Sequence, residues 1–274
     1  MPFEYFKKIR FLCHNYAMLG SEREEKILQI LKQKNNCTIY ELANALYVSE
    51  STMRRDLTKM EQKGLVNRTF GGVIINSDPS SAETSVFLRE KQNLKEKRSL
   101  AKIAVRYLKD NAIVFMDSST TTLQIVTMLN QFKNLFIITN GVTLANELAL
   151  RTKHNITLVG GSIMPSTKST LGSSAEDMLR NFHADVCIMS TAAADLNFGL
   201  SEQVEGQSKV KRIMLANSAL SIVMVDHSKF NKIALSKTCD IKDVDVLIYN
   251  GKLDPEYKKI APKTTFIDSL PSEN

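Results

Sequence analysis

The chain has 274 residues, 43% of them hydrophobic and 24% charged, with a formal net charge of +7. This is the composition of a soluble globular protein with room for one large domain or two modest ones. No apolar run is long enough for a membrane-spanning helix, and Cys13, Cys37, Cys187 and Cys239 lie too far apart for a zinc site or disulfide framework. Reduced thiols of that kind fit a cytoplasmic protein. Residues 1–78 hold 12 Lys/Arg against 9 Asp/Glu, a net +3, which leaves +4 for the rest. The basic excess is therefore spread out, and only local pattern can argue for nucleic acid.

Residues 1–20 read as an N-terminal extension, with Met18 offering an alternative start. Ser21 and Glu24 then form a capping-box pattern for a helix to about Gln33, and Thr38 with Glu41 repeats it for a helix over Ile39 to Leu46. After the tight Tyr47-Val48 connection, Ser49 caps a third helix over Glu50 to Lys63, ended by Gly64. Two short helices joined so tightly predict a helix-turn-helix. On the third helix Met53, Leu57 and Met60 share one face, which leaves Ser51 and Arg55 nearly opposite and Thr52 and Arg54 on the flanks. Ser51, Thr52 and Arg55 are candidate base readers, Arg54 a candidate phosphate contact and Ser49 a further DNA-binding candidate, because guanidinium forks match guanine edges and hydroxyls suit bases or phosphates. Two β-prone stretches around Gly71-Gly72, within Leu65 to Ile75, read as a hairpin wing with Arg68 facing DNA. The plain alternative is a solvated face in which Glu50, Asp56 and Glu61 balance the positive charges. Agreement of caps, turn and hairpin outweighs it.

Residues 76–90 form a polar, Ser-rich linker, and a long helix is expected over Val86 to Leu108, its Lys and Arg facing water. Apolar runs at Ala112–Met116, Leu135–Thr139, Ile156–Val159, Val186–Met189, Leu220–Val225 and Val246–Tyr249 then alternate with helical patterns such as Gly141–Leu150 and Val204–Asn217. The fold class is α/β: a winged helix-turn-helix over 21–75 and a larger, mostly parallel α/β domain over 91–274, for ligand binding and oligomerisation. Ligands of such sheets bind at the carboxyl ends of strands. There the chain carries Asp117, Ser118, Ser119, Thr120, Thr121 and Thr122 opening a helix, then Asn140, then Gly160 and Gly161. Hydroxyls at a helix start suit a phosphate, and glycines allow close approach. Asp195, Glu205 and Lys229 follow as further candidates.

The run Glu41-Leu42-Ala43, Val48-Ser49, Thr52-Met53-Arg54-Arg55-Asp56-Leu57, Gly64-Leu65-Val66 and Arg68-Thr69-Phe70-Gly71-Gly72 resembles the DeoR family signature. The resemblance extends over the second domain, which is similar in fold to ribose-5-phosphate isomerase. It implies a cytoplasmic, oligomeric regulator, a repressor of sugar-metabolism genes, that binds a double-stranded DNA operator and responds to a phosphorylated sugar. It also implies that Asp117–Thr122 hold phosphate while Asp195 and Lys229 line the sugar pocket. Ser119 and Ala193-Ala194 stand where the family more often has glycine. Where the isomerase has Asp-Gly-Ala-Asp this chain has Ala192-Ala193-Ala194-Asp195, so one carboxylate is missing and binding without catalysis is expected. No cofactor motif or metal-ligand spacing appears. An isomerase with an accessory DNA-binding domain, or an architectural DNA-binding protein, is the alternative.

Overall fold

A computed structural model of the chain describes residues 20–34, 36–62, 65–69, 72–75, 89–90 and 92–269. The chain forms two compact units, residues 1–88 and 89–274. Readings that fall on the extension, Lys63-Gly64, Gly71 or residues 76–88 lie outside the described residues. Among the described residues no helix is long and apolar enough to cross a membrane.

In the first unit, helices α1 (Gly20–Lys34), α2 (Ile39–Ala45) and α3 (Glu50–Gln62) pack with strands β1 (Asn36–Cys37), β2 (Val66–Thr69) and β3 (Gly72–Ile75). Helix α1 starts before Ser21, so the expected cap lies inside the helix. The second box is intact: Glu41 N donates to Thr38 Oγ1 at 3.1 Å and Thr38 N to Glu41 Oε2 at 2.8 Å. Ile27, Leu31, Leu42, Met53, Leu57 and Met60 bury the inward faces. The hairpin gains β1 as a third strand, in the order β1-β3-β2. Gly72 permits this, since a Cβ there would lie 2.8 Å from the Cys37 carbonyl oxygen.

The turn between α2 and α3 needs left-handed backbone at Tyr47, φ 54°. For a bulky L-residue that conformation costs about 1–2 kcal/mol. Replacing Tyr47 with Asn, which tolerates it, should raise the unit's stability by about 1 kcal/mol. Thermal unfolding of the two proteins would show the gain. An unchanged or lower midpoint would mean that packing of the ring outweighs the strain.

The second unit is built on seven parallel strands in the order β15-β14-β12-β9-β4-β5-β6. They are β4 (Ile113–Met116), β5 (Phe136–Thr139), β6 (Asn155–Leu158), β9 (Ala184–Ser190), β12 (Ser218–Val225), β14 (Val246–Tyr249) and β15 (Thr265–Asp268). Alternation sends Ile222 and Met224 of β12 to one core and Val223 and Val225 to the other. Helix α4 (Leu94–Ala104), a 3₁₀ helix (Thr122–Gln131) and α5 (Val142–Arg151) cover the first face. On the second lie α6 (Ser173–Arg180), α7 (Glu205–Ala216) and the short α8 (Glu256–Ile260). Chain direction across the sheet reverses at β4, whose neighbours are β5 and β9, and the carboxyl end of β4 is where sheets of this kind take a ligand.

Three features depart from the sequence reading. The long helix is broken at Asn93, φ 50°, because its amide bonds Asp226 Oδ1 at 3.1 Å and Ser228 Oγ at 3.3 Å. Lys97 of α4 is buried rather than solvated. Two small antiparallel sheets were not expected: the pair β7 (Ser162–Met164) and β8 (Ser169–Leu171), and β10 (Ala193–Asp195), β11 (Gly199–Glu202) and β13 (Ser236–Cys239).

Candidate functional site

In the first unit α3 offers Ser51, Arg54 and Arg55 to solvent, with Thr52 half-buried. Ser49 Oγ accepts from Thr52 N at 3.2 Å and lies 2.8 Å from Ser51 Oγ and 2.9 Å from Thr52 Oγ1. The three hydroxyls thus form one knot around the helix start, with Ser49 as cap. Arg54 pairs with Glu50 at 3.1 Å on the exposed side, whereas no described residue pairs with Arg55. Buried Asp56 holds Arg23 of α1 at 2.9 Å and braces the two helices. Arg68 is exposed on β2, and its amide donates to Glu61 Oε1 at 3.3 Å.

In the second unit the loops after β4 and β9 meet at the carboxyl end of β4. Asp117, 0% exposed, accepts from Ser119 Oγ at 2.8 Å and Thr122 Oγ1 at 2.5 Å through one oxygen. The other oxygen accepts from Ser190 N at 3.3 Å and pairs with Lys211 of α7 at 3.0 Å. Asp117 is thereby used up in shaping the loop, which corrects its expected role as a ligand contact. Lys211 also meets Glu202 of β11 at 2.5 Å and the Ser190 carbonyl at 2.8 Å. Burial works against its charge, but Glu202 and Asp117 together outweigh burial and raise its pKa.

Around this inner cluster lie groups nearer the loop ends. Lys229 donates to Thr191 O at 2.6 Å and Ser190 Oγ at 3.0 Å, with Asp226 at 3.5 Å. Burial lowers its pKa despite Asp226 and Glu202. For Asp226 burial opposes ionisation, yet Lys229, Ser228 and Asn93 hold its carboxyl below the ordinary value. Lys97 reaches Thr120 Oγ1 at 3.0 Å, and its pKa falls to about 8, chiefly through burial and then through the charge of Lys229. Ser118 and Gln207 of α7 share hydrogen bonds of 3.3 and 3.4 Å, and Gln207 donates to Ser169 Oγ at 2.7 Å. Thr121 Oγ1 and Asn140 Oδ1 are buried without a partner among the described residues.

Ser118–Thr122, Asn140 and Lys229 are therefore brought together, and other expected residues are not. Asp195 accepts from the amides of Asn197 and Phe198, both at 2.9 Å, and so closes the β10–β11 turn. Glu205 is exposed and pairs with Lys209 at 2.9 Å. Gly161 is needed for packing: its φ is 145°, and a Cβ would lie 2.7 Å from the Leu171 carbonyl. Gly160 has open space around it. Sequence reasoning missed Lys97, Ser190, Glu202, Gln207, Lys211 and Asp226 as site residues. The available signal was the phase of α7, where Gln207, Ser208 and Lys211 share the buried side with Val210 and Met214.

The DeoR-like helix-turn-helix domain model matches residues 23–78, and that of the DeoR C-terminal sensor domain matches residues 92–251. The transcriptional repressor AccR of Agrobacterium fabrum is 32% identical over 234 residues, 83% of this chain and 88% of its own. The regulator GolR of Listeria innocua is 30% identical over 243 residues, 88% and 95% of the two chains. Among solved structures, ribose 5-phosphate isomerase A of Methanocaldococcus jannaschii overlaps 51% of this chain and 55% of its own at 17% identity, TM-score 0.38, a slight likeness. With both domain models matched in order and full-length relatives aligned, the chain belongs to the DeoR family of DNA-binding transcriptional regulators.

Proposed function

We propose that this protein is a repressor of sugar-metabolism genes whose hold on its operator is relaxed by a phosphorylated sugar bound at the carboxyl end of β4. The observation that carries this reading is a pair of ammonium groups at the loop ends, Lys97, held at the Thr120 hydroxyl, and Lys229, held at Ser190 and Thr191, with the charge of Lys229 lowering the pKa of Lys97. Asp226 pairs with Lys229, but among the described residues no carboxylate pairs with Lys97, whose buried charge stays costly until an anion joins it. Binding without turnover fits the same site. Asp117 and Glu202 are committed to Lys211, Asp226 to Lys229 and Asp195 to a turn, which among the described residues leaves no free acid pair to move protons between carbons. The regulator acts as a homo-oligomer, so that paired recognition helices meet repeated half-sites.

Titrating complexes with upstream DNA using pentose and hexose phosphates tests this at fixed salt. One phosphosugar should release the DNA where its unphosphorylated parent does not; indifference to all of them would remove the pocket reading. The release should also depend on pH. Lys97 is protonated below about pH 8 and, once neutral, no longer attracts an anion. A bound anion raises that pKa, so affinity should fall about tenfold per pH unit from about 8 upward until the bound-state pKa is passed. Facing charges on Lys229, Asp226, Arg89 and Glu90 set where the fall begins. A flat profile between pH 7 and 9.5 would take Lys97 out of the site.

A further inference from the structure

Lys97 is 4% exposed, yet among the described residues its ammonium donates to two neutral oxygens. One is Thr120 Oγ1 at 3.0 Å; the other is the carbonyl oxygen of Arg89, at very short range. The Thr120 hydroxyl also approaches that carbonyl, at 3.5 Å. The Arg89 oxygen thus lies where an ammonium and a hydroxyl of the candidate pocket converge, as an oxygen of a bound anion would. Its neighbour Glu90 is half-buried, feels the charges of Lys168, Lys97 and Glu147, and has one carboxyl oxygen buried without a partner. Residues 89–90 therefore lie against α4 and the loop after β4, through Lys97 and Thr120. In chain order they are the first residues of the second unit, directly after the segment that leads from the DNA-binding unit.

We propose that the Arg89 carbonyl is a built-in substitute for the effector's anionic group. It occupies the Lys97–Thr120 subsite in the ligand-free protein, and an arriving phosphate displaces it, freeing residues 89–90. This rests on the pocket reading above and adds how occupancy of the pocket is passed on. The exchange is favourable in kind, because an anionic oxygen adds a full coulombic attraction to the Lys97 ammonium that the neutral Arg89 carbonyl oxygen cannot supply. It is also reciprocal: whatever tightens the hold on Arg89 weakens anion binding by the same factor. A ligand that bound without displacing the carbonyl would leave the ratio of the two states unchanged and switch nothing.

Trypsin reads this directly, since its scissile bond after Arg89 contains the held carbonyl. The full-length protein is digested briefly at constant ionic strength, with inorganic phosphate or a sugar phosphate replacing chloride, and cleavage at Arg89–Glu90 is followed by mass spectrometry. Phosphate should speed that cleavage roughly tenfold or more, because proteolysis tracks the open population. Lys97→Met should be cut as fast without phosphate and gain nothing from it. Thr120→Val, which keeps the ammonium, should be intermediate and serves if Lys97→Met fails to fold. Hydrogen exchange of the Thr120–Thr122 amides separates the two readings. Protection by phosphate with cleavage unchanged would overturn the substitution while sparing the pocket. Faster cleavage in Lys97→Met, with neither cleavage nor exchange responding to any phosphate compound, would overturn the displacement and the pocket reading together.

Discussion

Replacing Lys211 with Met should destabilise the sensor unit by about 3–5 kcal/mol, the usual cost of removing one partner from a buried ion cluster. Lys211 is 4% exposed and lies between Asp117, fully buried, and Glu202, nearly so. Met fills the space of the side chain but leaves two carboxylates facing each other out of water. At least one must then take up a proton, so its folded-state pKa rises above the unfolded value. A carboxyl shifted that way favours folding below its unfolded pKa and loses the contribution as pH rises through the folded value. The variant's deficit should therefore be largest at neutral and alkaline pH and shrink on acidification. In the parent protein Lys211 has a raised pKa, so its contribution is complete below the unfolded lysine value and is lost only in strong alkali, as pH passes the folded value. Urea unfolding of parent and variant at pH 5 and pH 8 checks both statements. Equal deficits at the two values would mean that no carboxylate is left unpaired. A second consequence follows from Asp117, which holds Ser119 and Thr122. Where Lys211→Met still folds, the loop loses its anchor and response to phosphorylated sugars should go with it.

The parts of the molecule legible in the sequence are those where local chemistry and tertiary packing agree. Thr38 with Glu41 and Ser49 with Thr52 do at the helix starts what their spacing promises, and Met53, Leu57 and Met60 are all buried. The six apolar runs are strands because a parallel sheet covered on both faces demands continuous hydrophobicity. The seventh strand, Thr265–Asp268, is a half-exposed edge with two apolar residues, and β10 and β13 are three- and four-residue segments of small and polar side chains. None of these carries a periodic signal. The candidate pocket loops were read from the rule that ligands of parallel sheets bind at the carboxyl ends of strands. Their chemistry was only half legible. A carboxylate at the start of a hydroxyl-rich loop reads as a ligand contact, and nothing local to Asp117 shows that Lys211, far along the chain, already holds it. Lys211 itself sits between Val210 and Arg212 in a strongly basic stretch, so it reads as surface until the helix phase is considered. Asp195 was assigned by resemblance alone, and the turn amides at Asn197 and Phe198 account for it.

Removing the Arg55 side chain should lower operator affinity by about 1–3 kcal/mol, roughly 5- to 150-fold, the worth of one good guanidinium–base contact. Arg55 lies on the exposed side of α3, opposite Met53 and Leu57, so truncation to Ala takes nothing from the core, and Ala favours the helix. Arg54 differs because it is engaged with Glu50 and must give up that exposed pair, worth well under 1 kcal/mol, to reach DNA. The two arginines therefore predict different signatures. Arg54→Ala should weaken operator and unrelated DNA alike and reduce the salt dependence of binding by about one counterion. Arg55→Ala should weaken the operator far more than unrelated DNA, which narrows the gap between specific and non-specific binding. Fluorescence anisotropy with operator and scrambled duplexes over a salt series gives all four quantities. If Arg55→Ala lowers both affinities equally and flattens the salt slope, Arg55 holds a phosphate. The base reading would then pass to Ser51 and Thr52, whose hydroxyls must first leave the knot around Ser49.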